Sequence, residues 1–186
     1  MNDSDPLRRA AAMVPRQVAD EAGTTVADAA EYLDHREYEI AHAILTGLGD
    51  VHSAEPVFWD LLAASAAEMN LPGSEAWCHW RAAETRRGVI RAELRLLGPG
   101  QPGARRTAIL GGGLLRPLWN IGPGLCIARV WTEGGVPLEP GATGPIRLAP
   151  LDPEAWRHLR PGDRITMHEG TPPVGTATVT HVEFRP

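Results

Sequence analysis

The 186 residues carry 23 acidic and 18 basic side chains, a net charge of −5, and 43% of them are apolar, enough for one substantial core or two small ones. Every basic residue is Arg, and the absence of Lys excludes Schiff-base chemistry together with the Lys of a phosphate-binding loop. No apolar run is long enough to span a bilayer, and MNDSDPLRRAAAMVP lacks the basic-then-apolar order of a signal peptide, so a cytoplasmic protein that does not engage membrane is expected.

Residues 1–24 read as an arm or a short helix, Ala-rich and ended by Pro15. From residue 25 to residue 86 the hydrophobic period is that of a helical bundle. Thr25, with Asp28 three positions on, is a variant of the capping box: it satisfies free N–H groups and puts a carboxylate at the positive end of the helix. Ile40, Ala41, Ile44, Leu45 and Leu48 share one face of a second helix, expected to close at Gly47 and Gly49. After Pro56, a stripe of Phe58, Leu61, Leu62, Ser65, Ala66 and Met69 predicts a third, stopped by Leu71, Pro72 and Gly73. Ser74 is the candidate cap of a fourth, running through Trp77 and Trp80 to about Arg86.

The period then changes. VIRAELRLL, GLCIARVW, GPIRLAPL and RITMHE are short apolar runs separated by GPGQPG, GGG, PLEPGATG and RPGD, the spacing of turns in an all-β unit. The boundary falls near Thr85 to Val89, because Ala92, Leu94 and Leu96 already alternate with Glu93 and Arg95. Residues 90–186 therefore predict a barrel of six strands, with Trp119, Trp131 and Trp156 filling its interior. In the last strand Ala177 and Val179 have one parity and Val182 and Phe184 the other, which predicts a bulge near His181 or an end that packs elsewhere. The fold class is α+β: an N-terminal acidic helical bundle followed by a C-terminal six-stranded β-barrel.

Charge divides with the period. Residues 1–86 hold 15 acidic and 6 basic side chains, and residues 87–186 hold 8 and 12. Two modules with different partners would show this asymmetry. Chemistry is harder to find. Cys78 and Cys126 provide no disulfide framework and no CxxC pair, and neither an HExxH nor a GxSxG pattern occurs, so no metal site, cofactor or catalytic residue is expected. His168 and Glu169 are neighbours in a strand, where successive side chains point to opposite faces, and they make a poor acid and base pair.

In chain order the second half presents an Arg-Thr turn (Ala104 to Thr107), an Arg-Pro entry to a strand (Leu115 to Gly122), the loop LEPGATG, a connection ending in RPGD, and the hairpin HEGTPPVGTATV. That order resembles the C-terminal β-barrel of elongation factor Tu and related translation GTPases, over about half of the chain. It departs at the closing hairpin, where Gly170 to Pro173 lack the family's Arg, and after the Arg-Pro, where the aromatic pair is Leu118 and Trp119. The only Gly-rich stretch, Gly111 to Gly113, is not followed by the Lys and Ser or Thr of a phosphate loop. The resemblance implies a binding module for aminoacyl-tRNA or a protein. Carried over by position, it implies RNA contacts at Arg105, Arg106, Arg116, Gly175 and Thr176, since an Arg fork suits phosphate and a Gly lets a backbone approach.

The acidic half, through EYLDHREYEIAHAILTGLGD and FWDLLAASAAEMNL, resembles in composition the small helical immunity proteins of bacterial polymorphic toxin systems, which implies an acidic surface laid over a basic protein. Glu31, Asp34, Glu37 and Glu39 are the candidate contacts, too close in sequence all to face the core. The expectation is a non-catalytic binding protein, an immunity or regulatory factor docking a protein partner such as a basic toxin or translation component. The alternative is an RNA-binding module that engages tRNA or ribosomal components through the barrel.

Overall fold

Five α-helices precede six β-strands in a computed structural model that describes residues 5–52 and 54–184. Two compact units divide the chain, Met1–Arg86 and Arg87–Pro186.

The first unit is helical. In α1 (Pro6–Met13) the Asp5 carboxylate caps the Leu7 N–H at 3.0 Å. In α2 (Val26–Asp34) the capping box is complete: Thr25 Oγ1 accepts from the Ala27 N–H, and Asp28 Oδ2 accepts from the Thr25 N–H at 2.7 Å. The bonds that Asp28 accepts from the Thr25 N–H and hydroxyl hold its carboxyl below its ordinary range. The next helix, α3 (Tyr38–Val51), runs through Gly47 and Gly49 instead of stopping there. Gly49 is kept because the α3 backbone passes directly over the Phe58 and Trp59 rings of α4 (Pro56–Glu68); a Cβ there would lie 2.5 Å from the Phe58 ring. Ile40 is exposed, whereas Ala41, Leu45 and Leu48 join Leu33, Phe58, Trp59 and Leu62 in one buried core. Leu71 accordingly precedes a new helix, α5 (Pro72–Arg87), which begins at Pro72 and not after Ser74.

The second unit is a closed antiparallel barrel in the order β1-β4-β3-β2-β5-β6, closed by β6 on β1. The strands are β1 (Gly88–Leu96), β2 (Leu118–Asn120), β3 (Leu125–Thr132), β4 (Thr143–Pro150), β5 (Arg164–His168) and β6 (Gly175–Phe184). Alternate residues of each strand face inward, so Ile90, Leu94, Val130, Leu148, Ile165 and Val179 meet in the interior around Trp119 and Trp156. Each such side chain contributes about 1.5–3 kcal/mol by leaving water. Trp131 is buried but lies outside this core, because it has the opposite parity to Val130. The bulge in β6 is present: Arg91 pairs with His181 and Ala92 with Val179, leaving Thr180 as the extra residue. It returns Val182 and Phe184 to the inward face, where both pack on the core. Among the described residues no helix is long and apolar enough to cross a membrane.

Candidate protein-docking surface

The four acids singled out from the sequence converge on the corner between α2 and α3. α2 ends in a Schellman turn. The Arg36 N–H donates to Leu33 O at 3.2 Å and the Glu37 N–H to Tyr32 O at 2.9 Å, with Arg36 itself left-handed at φ 64°. The turn satisfies the last carbonyls of α2 and joins the helices within three residues, so Glu31 and Asp34 lie near the end of one helix and Glu37 and Glu39 at the start of the next. Glu39 also favours the positive end of α3.

All four carboxylates are exposed. Asp34 pairs with Arg8 of α1 at 2.8 Å, a contact that raises the Arg8 pKa and ties α1 to α2. Glu31, Glu37 and Glu39 have no ion-pair partner among the described residues. Two hollows flank the corner. An open cleft of about 920 Å³ between α1 and α2 is lined by Arg8, Pro15, Val26, Ala30, Glu31, Asp34 and His35, and a smaller one of about 480 Å³ by Arg36, Glu37, Tyr38, Glu39, Ile40 and Met69. The exposed rings and aliphatics there, Tyr32 and Ile40, give the acidic surface an apolar component. The motifs could not anticipate Arg8 and His35 in this site, since their arrival depends on how α1 packs on α2.

The five barrel residues do not form one site. Arg105 is held by Glu169 and donates through Nε to Thr107 O at 3.2 Å; Arg106 and Arg116 are exposed. Thr176 is half-buried on the outer face of β6, opposite Thr166 of β5 and Arg95 of β1. Gly175 is buried, with Arg95 O 2.8 Å from where a Cβ would sit, so it lets β6 approach β1 and offers no surface of its own.

The neighbouring His168 and Glu169 are not brought together. His168 lies 2.8 Å from Thr166 Oγ1 on the outer face, while Glu169 turns away to Arg105, which separates the two as strand alternation requires. Buried in the helical unit, His42 donates from Nε2 to Leu62 O at 3.1 Å, with Cys78 Sγ 3.9 Å away. Burial pushes the Cys78 thiol up to about 12 and depresses the His42 imidazole, so the pair is a neutral thiol beside a neutral ring, inert as a nucleophile. Among the described residues no group of three or more His, Cys, Asp or Glu side chains could hold a metal ion. Neither a protein-family model nor a curated protein matches the chain.

Proposed function

We propose that this is a non-catalytic binding protein that engages a basic protein partner through the α2–α3 corner. The carrying observation is that Glu31, Glu37 and Glu39 are exposed at either side of the α2–α3 turn without ion-pair partners among the described residues, with Tyr32 and Ile40 exposed in the same segment. Exposed carboxylates with no cation of their own leave a negative potential that steers a cationic surface toward them and favours it over an acidic one. An immunity or regulatory role, covering a basic toxin or translation component, is the form of this reading that the composition favours. A barrel of the elongation factor Tu C-terminal kind, supported by the order of its turn and hairpin motifs and by closed six-strand antiparallel pairing, would be a second docking module.

Affinity capture from lysate of the source organism, with protein and nucleic acid read in the same eluate, tests it. The expected result is one basic protein in stoichiometric amount, lost when Glu31, Glu37 and Glu39 are all changed to Arg. Recovery of tRNA that declines as salt rises, unaffected by those changes, would replace it with the RNA-binding reading.

A further inference from the structure

Along β5, β6 and β1 the barrel shows water a polar face. Outward positions are Arg164, Thr166 and His168 on β5, Thr176, Thr178, His181 and Glu183 on β6, and Arg91, Glu93 and Arg95 on β1. The arc formed by β2, β3 and the segment entering β2 is different. Leu118 and Ile127 are direct cross-strand partners, each 40% exposed, and Leu125 beside them is 57% exposed. The Val130 N–H donates to Leu115 O at 3.1 Å, which lays residues 114–117 along β3. In that segment Leu115 and Pro117 turn inward, while Leu114, 89% exposed, and Arg116 continue the outward row of Leu118.

Single exposed aliphatics are ordinary on protein surfaces, but Leu118, Ile127 and Leu125 side by side, with Leu114 further along the same outward row, mark a contact surface. The cations fix what kind. Arg116 is exposed and has no ion-pair partner among the described residues, and it lies with Arg87 close enough to Arg129 for both to repel that guanidinium. An incoming carboxylate could accept two parallel hydrogen bonds from the exposed Arg116 fork.

We propose that this arc docks a protein segment that carries carboxylates beside aliphatic side chains. A closed barrel has no free strand edge here, so the segment packs its side chains onto the face and does not add a strand. Single-stranded nucleic acid fits less well, because base stacking calls for exposed aromatic rings and this arc presents leucine and isoleucine. The proposal is independent of the acidic corner and selects partners of the opposite charge, so either reading can fail alone.

Selection of a random peptide library on the immobilised full chain, with counter-selection on Ile127→Asp, tests it, and enriched peptides are then titrated by fluorescence anisotropy. Peptides rich in Asp or Glu beside Leu, Ile or Val are expected, with binding weakened about tenfold or more by Ile127→Asp and by Arg116→Glu, and by added salt. Should Ile127→Asp not fold, Leu114→Ser combined with Arg116→Glu carries the same comparison on a side chain that is almost fully exposed. Three results would overturn the proposal: no enrichment, or enrichment of basic peptides; competition by a single-stranded RNA oligonucleotide that depends on Arg116 but not on Ile127; or concentration-dependent self-association, in sedimentation, that Ile127→Asp abolishes, which would give the arc to a second copy.

Discussion

The guanidinium of Arg81 lies 4.9 Å from the centre of the Trp59 ring, joining α5 to α4. It also sits 5.7 Å from the Trp77 ring and pairs with Asp50 of α3 at 2.8 Å and with the buried Glu84, which in turn accepts from the Trp80 indole at 2.7 Å. One cation therefore ties α3, α4 and α5. Because its side chain is only 14% exposed, screening is weak, and Arg81→Ala is expected to cost about 2–3 kcal/mol, part of it from leaving carboxylates under-paired. Arg81→Lys keeps the charge but not the plane that stacks on two rings, and should cost about 1 kcal/mol. Urea denaturation of the two variants checks this; equal losses would mean that the planar guanidinium and not its charge carries the contribution, and no loss in Arg81→Lys that charge alone matters.

Two glycines in the same helix should respond in opposite senses. A Cβ at Gly49 would lie 2.5 Å from Phe58 and 2.8 Å from Trp59, whereas a Cβ at Gly47 would meet nothing within 4 Å. Gly49→Ala is thus expected to destabilise by about 1–3 kcal/mol through overpacking, and Gly47→Ala to stabilise by about 0.5–1 kcal/mol through reduced freedom of the unfolded chain. Thermal unfolding of the two single variants distinguishes close packing from helix propensity, and a gain in both would show that α3 can move off α4.

His42 gives the helical unit a pH dependence of known sign. Burial depresses its folded-state pKa below the ordinary 6.5, while the unfolded chain keeps the ordinary value. Above about pH 6.5 both states are neutral and the stability is fully present; as pH falls through that value the unfolded state takes up a proton that the native state refuses, and stability declines until the folded pKa is reached. Chemical denaturation between pH 7.5 and 5 should show this decline, and His42→Gln should flatten it, at some cost in stability at pH 7.5 if the bond to Leu62 O is imperfectly replaced. A variant as pH-sensitive as the native chain would assign the decline to other groups.

What could be read from the sequence was whatever local chemistry decides. The Thr25 capping box, the alternation from Arg91 onward and the parity break before Val182 are each settled within a few residues, and each is present in the structure. Features that depend on what packs against a residue were hidden. Gly47 and Gly49 resemble a helix stop unless Phe58 is known to lie above the second of them. Ser74 resembles a cap unless Pro72 already starts the helix. β3 is apolar on both faces, so LCIARVW does not show that Trp131 stands outside the core or that Leu125 and Ile127 face water. The α2–α3 corner was legible as a run of acids, but its cleft was not, because α1 forms the other wall.

The bulge in β6 offers a test of register by deletion. With Thr180 as the extra residue between Val179, opposite Ala92, and His181, opposite Arg91, removing it leaves a regular ladder in which Val179, Val182 and Phe184 all keep their inward face. Removing Thr178 instead cannot be absorbed in this way. If Ala177 stays opposite Leu94, Val179 moves to the outward position beside Glu93 and Thr180 is driven inward opposite Ala92, exchanging a buried valine for a buried hydroxyl. Deletion of Thr180 is therefore expected to cost about 1 kcal/mol or less, the local twist being all that is lost, and deletion of Thr178 about 3 kcal/mol or more. Urea titration of both deletions, with tryptophan fluorescence reporting on the buried Trp119 and Trp156, measures the difference. Equal losses would show that β6 slides to a new register, and that the bulge is not what places Val182 and Phe184 against the core.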